Sequence, residues 1–585
     1  MIKTPARVRL VLLLFTFLSY FQYPGHTYLV SDTQIYVPML ERFENPALFA
    51  QDPMVTRAHT AWTFYDEIAI GFRKLTRSEL ETALGLLHFF ARWCLLLGIF
   101  KIARGMGLGN PPAAACAGIY ALGGLVPGPS VLLVEYEPVP RAFALAPAVL
   151  GVGLAAERRF AAAGAAGAVA LVLHGTTSAP FWIILGTLLL AAPSGSMTPS
   201  GRLWPFLFLG CSLLALQIAA PWQPGVSEPQ TFLSRLDPDW EALARLRSPY
   251  VFVDQWPSAY FWQYGLMLVA AAAAYWRLRQ RIGRELRFFT VGLSLLAVLS
   301  LPVSYLLLEK WKWALVLQWQ PLRTLLFLQM LTILLSLALA MELSCRRADS
   351  AGAICWGALA IASAADPRLL FALTPAAAGC LGRWPLRAAG ITLAAASAWL
   401  RPFGITLWAA PLRRELCVAL LLAALLAGAA GLHFRSRLGA VAAVLAVGSA
   451  FFIVPGRAQF RWSGEPPNRD LAVLSDWARG STDRNAVFLF PDSPASSIDP
   501  GVFRARAERA LYTDWKSGGQ INFFRDFAHL WGERWRQALA EPFHPEQLGR
   551  LRQAGVDYVV LRSSEAGPAL PLAFTSGVYR VYRLK

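Results

Sequence analysis

Apolar runs of about 18 to 20 residues recur along this chain from residue 9 to residue 454, and a helix of that length crosses roughly 30 Å of hydrocarbon. The chain has 585 residues, of which 56% are hydrophobic and 15% are charged. Soluble domains usually carry about 25% charged residues, so a soluble core of this size would lack polar surface. The sequence therefore predicts a polytopic α-helical membrane protein with about 13 to 15 transmembrane helices.

Basic residues gather in short segments between the apolar runs, most strongly in the stretch 277–287, and the formal net charge is +18. Cytoplasmic loops of membrane proteins carry an excess of Lys and Arg. The basic stretch 1–9 therefore predicts a cytoplasmic N-terminus, and the parity of the runs then predicts an extracytoplasmic C-terminus. No basic stripe with interleaved aromatic residues stands out, so a nucleic-acid partner is not expected.

Two parts of the chain differ from the apolar runs in composition. A polar stretch at about 23–79 follows the first run and is predicted to be a large external loop. From residue 455 onward the composition is that of a soluble domain. Buried strands are predicted at Ala486–Phe490 and Asp557–Leu561, with an edge strand at Val578–Tyr582. We therefore divide the chain into a transmembrane domain, 1–454, and a small extracytoplasmic α/β domain, 455–585.

The stretch Tyr28–Tyr36 is the beginning of that first loop. Ser31 and Gln34 match a capping box, which would put Asp32 in the first turn of a helix. Tyr36 would then share a helix face with Asp32, although Pro38 interrupts the pattern. On spacing alone, Asp32 is either a capping residue or the carboxylate of a catalytic site.

A second set of polar residues is predicted at the outer ends of the membrane helices, on the same side as Asp32. Transfer of a sugar to a hydroxyl or amine needs a base, and a carboxylate is a usual choice. If the donor is a polyprenyl phospho-sugar, arginines at the interface would bind its phosphate. Arg141 and Arg323 are the candidates, with His174 at the same level. For each, the alternative is a snorkelling or loop-structuring residue.

The layout resembles the GT-C superfamily of membrane glycosyltransferases, which includes protein O-mannosyltransferases, the lipid A aminoarabinose transferase and oligosaccharyltransferase catalytic subunits. The stretches Ser31–Tyr36 and Asn45–Pro53 resemble the first external loop of that superfamily. The tail is similar to that of uncharacterised bacterial proteins of the same layout. The similar tail stretches are Leu474–Asp483, Ala486–Phe490, Phe503–Lys516 and Gly555–Val560.

The resemblance implies that Asp32 is the base, and that Asp52 is a second acidic group if the loop folds back. Tyr36 would belong to the substrate-binding surface. Several relatives carry a paired Asp or Glu in this loop, whereas Asp32 has no acidic neighbour. One carboxylate is a poor site for a divalent cation, and the seven cysteines form no CxxC pair or metal-ligand spacing. No metal or cofactor is therefore predicted.

The resulting hypothesis is a glycosyltransferase of a bacterial inner membrane that moves a sugar from a polyprenyl-phosphate donor to an extracytoplasmic glycan, lipid or protein acceptor. Its partners would be that donor, the acceptor and membrane lipids. Two alternatives stay open: a non-catalytic GT-C-like protein that binds lipid-linked sugar or assembles with other proteins, and a lipid or polysaccharide transporter or flippase. Few acidic residues lie within the predicted spans, which argues against a transporter.

Two further segments have structural interpretations. Asp66 and Glu67 are typical of a solvated helix face. The stretch Tyr512–Gly519 is predicted to be a strand end followed by a glycine turn, with binding of acceptor or glycan as the alternative.

Overall fold

The computed structural model describes residues 5–21, 25–59, 61–193, 198–223, 233–345, 350–380, 410–431, 437–453, 468–493, 495–562 and 570–585. The sequence also predicts an apolar run at about 387–400, and this run and the predicted domain boundary at 454 and 455 lie outside the described residues. Four described helices are long and apolar enough to cross a membrane: Leu80–Gly105, Pro199–Trp222, Arg284–Lys310 and Leu315–Ser344. The sequence predicts apolar runs at about 80–101, 203–220, 288–308 and 322–342, and each of these overlaps one of the four helices.

Five apolar helices are shorter: Pro140–Ala156, Phe160–Leu173, Gly175–Ala191, Ser350–Ala364 and Leu416–Gly428. The protein is thus a polytopic α-helical membrane protein with a small C-terminal sheet domain, as predicted.

The α-helices up to residue 379 are α1 (Ala6–Leu18), α2 (Thr33–Glu44), α3 (Pro53–Thr56), α4 (Tyr65–Thr76), α5 (Leu80–Gly105), α6 (Asn110–Tyr120), α7 (Pro140–Ala156), α8 (Phe160–Leu173), α9 (Gly175–Ala191), α10 (Pro199–Ala219), α11 (Pro238–Arg247), α12 (Ser258–Leu278), α13 (Arg284–Ser304), α14 (Leu315–Trp319), α15 (Leu325–Cys345), α16 (Ser350–Ala365) and α17 (Leu370–Gly379). Later helices are Ala410–Gly431, Arg437–Ile453, Arg469–Ser481, Asp499–Ala507, Arg525–Ala538 and Leu548–Gln553.

Small residues let α5 and α7 pack closely. A side-chain carbon added at Gly98 would lie 2.6 Å from the backbone nitrogen of Leu150, and one at Gly153 would lie 2.6 Å from the Lys101 side chain. Close backbone approach at Gly is the usual way in which apolar helices gain van der Waals contact where no hydrophobic effect drives them together. The pair fixes the start of α7 relative to α5 and hence the position of Arg141.

The first loop is folded as α2, α3 and α4. The predicted capping box is wrong: α2 begins at Thr33, Asp32 is at the N-cap without a capping bond, and Gln34 Nε2 donates to Leu29 O at 2.8 Å. The helix also continues through Pro38 to Glu44. Proline removes only one helical hydrogen bond there, and the helix is held by its buried apolar face.

The C-terminal domain contains a five-stranded sheet in the order β4-β3-β5-β7-β6. Its strands are β3 (Val487–Leu489), β4 (Ala510–Leu511), β5 (Tyr558–Arg562), β6 (Leu572–Ser576) and β7 (Tyr579–Arg583). A separate two-stranded sheet, β1 (Leu125–Val126) and β2 (Val131–Leu132), lies in the loop before α7. β3 is parallel to β4 and β5, whereas β7 is antiparallel to both neighbours. β3, β5 and β7 are the three strands that the sequence predicted, but the prediction of an edge strand is wrong for β7, which lies between β5 and β6.

A buried ion network joins the first loop to the C-terminal domain. Arg504 is fully buried, and its Nε donates to Asp52 Oδ2 at 2.7 Å while its other end pairs with Asp514. Asp52 also accepts hydrogen bonds from the amides of Met54 and Leu511, each at 3.0 Å. Buried charges are stable only when paired and hydrogen-bonded. Asp52 is therefore fixed as a structural link between the two parts of the chain.

We predict that Arg504→Met loosens this link, because it leaves the Asp52 and Asp514 carboxylates buried without their cation. The expected loss of stability is about 3–5 kcal/mol, measured as a lower thermal midpoint and faster limited proteolysis of the C-terminal domain in detergent. Arg536→Met is the matched control, since Arg536 pairs at 3.3 Å with an exposed Asp239. That change should cost less than about 1 kcal/mol. Equal effects of the two changes would contradict the structural role of the buried network.

Candidate functional site

A cavity of about 870 Å³ lies at one end of the bundle, between the first loop, the segment before α7, the start of α9, the segment 314–323 and the C-terminal domain. Five of the six predicted site residues line it: Asp32, Tyr36, Arg141, His174 and Arg323. The sixth, Asp52, does not line it and is held in the ion network with Arg504.

Asp32 is held by two cations from distant parts of the chain. Its Oδ2 accepts from Arg141 at 2.6 Å and its Oδ1 accepts from Lys516 Nζ at 2.7 Å. Lys516 also lies 3.3 Å from Ser31 Oγ. Burial alone would raise the pKa of Asp32, but Lys516 and then Arg141 outweigh it and hold that pKa well below its usual range. The carboxylate is therefore a stable anion and, while both cations hold it, a weak base.

Acidic residues before α7 fix the geometry around Asp32. Glu135 accepts from Arg141 Nε at 2.8 Å, so the guanidinium bridges two carboxylates. The Glu137 carboxylate accepts from the backbone amides of Val30, Ser31 and Thr33 at 3.0, 2.5 and 2.9 Å. A carboxylate at the N-terminus of a helix satisfies amides that have no helical partner. The Glu137 carboxylate thus accepts hydrogen bonds from amides at the start of α2, a role that the predicted capping box assigned to side chains of α2 itself.

Arg323 lies where the cavity meets an apolar groove. The groove is small, about 30 Å³, and runs between α7, α9 and α15. Its apolar lining includes Leu145, Pro180, Leu326 and Phe327, three threonines also line it, and Glu135, Arg141 and Arg323 lie at its cavity end. Arg323 Nε is buried without a hydrogen-bond partner, and among the described residues no carboxylate pairs with this guanidinium. The side chain as a whole is half-buried, and a cation in such a place without an anion costs free energy. Arg323 therefore provides an unfilled site for a negatively charged group.

Imidazole and aromatic side chains form another wall. His174 is the N-cap of α9, and its Nδ1 accepts from the Thr177 amide at 3.3 Å, so in the neutral ring Nε2 carries the proton. Tyr36 lies 3.2 Å from His59 Nε2, and the His59 ring stacks on Phe523 with centroids 4.1 Å apart. Flat faces with polar edges of this kind suit the packing of a sugar ring, which has an apolar face and a polar rim.

Asp66 also lines the cavity, which corrects the expectation of a solvated helix face. Only 3% of its surface is exposed, and within the described ranges its carboxylate has no hydrogen-bond or ion-pair partner. Glu67 points elsewhere and accepts from Gln223 Nε2 at 2.8 Å. Burial, and then the Glu67 charge, raise the pKa of Asp66 to about 8.

A divalent cation does not fit beside Asp32. Each of its oxygens already pairs with a cation, which would repel a metal ion. Within the ranges that the structure describes, no group of three or more His, Cys, Asp or Glu side chains is arranged to hold a metal.

Among the cavity residues that the sequence-based prediction missed are three charged ones, Lys516, Glu135 and Asp66. Lys516 and Asp66 belong to stretches that had been singled out but interpreted as a strand end and a solvated face. Tyr512–Gly519 instead follows β4 and leads into a 3₁₀ turn, Ser517–Asn522, that packs against the first loop. The two glutamates shortly before Arg141 were the available signal for Glu135, because an interfacial arginine flanked by acids is typical of a charge network.

No protein-family model and no curated protein matches the chain. Among solved structures, it is similar to the Archaeoglobus fulgidus oligosaccharyltransferase tethered with an acceptor peptide (TM-score 0.42, 11% identity, covering 95% of this chain and 68% of that one). It is also similar to the arabinofuranosyltransferase AftD from Mycobacteria (TM-score 0.45, 13% identity, covering 100% of this chain and 40% of that one). A third similar structure is ArnT from Cupriavidus metallidurans bound to undecaprenyl phosphate (TM-score 0.37, 13% identity, covering 99% of this chain and 97% of that one). Similarities of this size establish neither a family nor an activity for the chain.

We predict that Glu137→Ala frees the turn that carries Asp32, because three backbone amides lose a charged acceptor. Hydrogen exchange of the peptide covering residues 28–36, followed by mass spectrometry, should become about 10-fold to 100-fold faster, since a hydrogen bond to a charged group contributes about 1.5–3 kcal/mol. Glu157→Ala is the control, because Glu157 pairs with Lys101 at the other end of α7. Unchanged exchange at 28–36 in Glu137→Ala would contradict this role.

Proposed function

We propose that this chain is a membrane glycosyltransferase that moves a sugar from a polyprenyl-phosphate-linked donor to an acceptor. The observation that carries the proposal is Arg323, a half-buried guanidinium with which no described carboxylate pairs, at the junction of the polar cavity and the apolar groove. A lipid phosphate has one charged end and a long apolar chain. Its phosphate would pair with Arg323, and the first part of its chain would lie against the small groove.

The arrangement of cations supports a phosphate leaving group. Arg323 and Arg141 both lie at the cavity end of the groove. As the bond between sugar and phosphate breaks, negative charge grows on the phosphate oxygens, and preorganised guanidinium groups stabilise that charge without reorganising. Arg323 supplies the positive charge that no described carboxylate neutralises, and Arg141, whose guanidinium already pairs with Asp32 and Glu135, adds its remaining N–H donors.

The ion pair between Asp32 and Lys516 has a positioning role in this proposal. The sequence suggested Asp32 as the base, but its low pKa and its two cationic partners disfavour proton uptake. We assign Asp32 instead to positioning: it orients Arg141 toward the groove and holds Lys516, and with it the C-terminal domain, over the cavity. The C-terminal domain is therefore part of the site in this proposal.

We further propose that the cavity faces the extracytoplasmic side. Arg141 is at the start of α7, whereas Arg158 follows its end and pairs with Glu285 at the start of α13. Arg281 pairs with Glu342 near the end of α15. Basic residues thus gather at the bundle end opposite the cavity, and the positive-inside rule would put that end in the cytoplasm of a bacterial inner membrane.

We predict that Arg323→Ala weakens binding of undecaprenyl phosphate, used as the probe, by about 10-fold to 150-fold, because a charged hydrogen-bonded pair contributes about 1.5–3 kcal/mol. Arg323→Lys should have an intermediate affinity, since it keeps the charge but loses the planar fork. Binding to the purified protein in nanodiscs is the measurement.

Arg281→Ala is the matched control for loss of an arginine from the bundle, and it should bind the probe as the wild type does. Wild-type affinity in Arg323→Ala, or no binding by the wild type, would contradict the proposed lipid-phosphate site. Movement of the lipid-linked sugar across vesicles with no covalent product would favour a flippase instead.

A further inference from the structure

Asp66 is positioned firmly at the wall of the cavity. It lies in the first turn of α4, next to Tyr65, whose hydroxyl donates to Pro138 O at 2.7 Å. The chain just before it is also fixed, since Thr63 Oγ1 donates to Leu173 O at 2.9 Å and the Phe64 amide donates to Val172 O at 2.7 Å. These bonds hold the start of α4 against α8 and the segment before α7, so Asp66 has a defined place.

Asp66 and Asp32 are two carboxylates of one cavity in opposite environments. Asp32 is clamped by Arg141 and Lys516, whereas among the described residues no cation pairs with Asp66. Burial and the Glu67 charge raise the pKa of Asp66 to about 8. Two carboxylates whose surroundings separate their proton affinities in this way can divide electrostatic and proton-transfer work between them.

We infer that Asp66 is the general base of the transfer, accepting the proton of the acceptor hydroxyl or amine; this inference rests on the proposed function. The acceptor oxygen or nitrogen forms a bond to the anomeric carbon. The bond between that carbon and the phosphate oxygen breaks, and its electron pair leaves with the polyprenyl phosphate at Arg141 and Arg323. The acceptor proton goes to an Asp66 carboxylate oxygen and is returned to solvent after product release.

The carboxylate is suited to this step because no residue that the structure describes pairs with it. A base works best when its pKa lies near the working pH, and a carboxylate already held by two cations would have to break those bonds first. The titratable groups around Asp66 are Tyr36 on α2, Tyr65 and Glu67 on α4, and His59 and His174 on the cavity wall. Burial lowers the pKa of His59 to about 4, so His59 does not titrate with Asp66.

The test uses the full chain in nanodiscs with synthetic undecaprenyl phosphates that carry a single hexose or pentose, and with cell membranes as the source of acceptor. Released undecaprenyl phosphate is the readout, because both transfer and hydrolysis produce it. We expect Asp66→Asn to lower kcat by about 10²-fold to 10⁴-fold. Its binding of undecaprenyl phosphate should stay at the wild-type level, which also shows that the variant is folded.

The pH dependence identifies the residue that accepts the proton. The base acts in its deprotonated form, so the wild-type rate should rise with pH and reach a plateau above about 8. Asp66→Asn should abolish this rise. Glu67→Gln should move it to lower pH at an unchanged plateau, because the Glu67 charge contributes to the raised pKa. Burial also raises the pKa of Glu41 to about 8, but Glu41 does not line the cavity, so Glu41→Gln should leave the profile unchanged.

The possible outcomes separate the two claims. If the wild type releases undecaprenyl phosphate and Asp66→Asn retains a rate within about threefold with the same pH profile, Asp66 is not the base, and the proposed function stands. If the wild type binds undecaprenyl phosphate but releases none from any probe, the proposed transfer fails, and the inference fails with it. Loss of rate and of the pH rise in Asp66→Asn, with binding kept, supports the inference.

Discussion

The ion pairs of Asp32 with Arg141 and Lys516 are the interaction on which the site depends. They bring together the first loop, the start of α7 and the C-terminal domain, which are separated by 109 and 484 residues along the chain. Charges in such a partly buried place cost free energy unless each has a partner. The Glu135 carboxylate pairs with Arg141, and the Glu137 carboxylate accepts hydrogen bonds from the turn that contains Asp32.

Once this network is satisfied, two charged groups of the cavity remain without a partner among the described residues. Arg323 is at the mouth of the apolar groove, and Asp66 lies on the wall formed by α4. An unpaired cation beside an apolar groove suits a lipid phosphate, and an unpaired carboxylate suits a proton. In the proposed transfer the two groups would have complementary parts, and the paired network joins the elements that line the cavity.

Much of the site could be predicted because membrane topology restricts where residues can lie. Asp32, Arg141, His174 and Arg323 come from four distant segments, yet the alternation of apolar runs and loops put all of them on one side, and they line one cavity. Strands β3, β5 and β7 were predicted because short apolar or alternating runs between turn residues have few other interpretations.

The remaining parts depend on contacts that no local pattern specifies. Asp52 binds Arg504, which is 452 residues away, so its structural role could not be inferred from the first loop alone. The capping box at Ser31 and Gln34 fits the local sequence, but the Glu137 carboxylate is a stronger acceptor and replaces it. Asp66 has the sequence pattern of a solvated helix face, but the start of α4 is bonded to the segment before α7 and to the end of α8, contacts that no local pattern specifies.

The most direct test of the central claim is a structure of the protein with undecaprenyl phosphate bound. The account predicts that the phosphate lies within hydrogen-bonding distance of both Arg323 and Arg141, with the polyprenyl chain along Leu145, Pro180 and Phe327. A phosphate bound elsewhere, with Arg323 still unpaired, would contradict it.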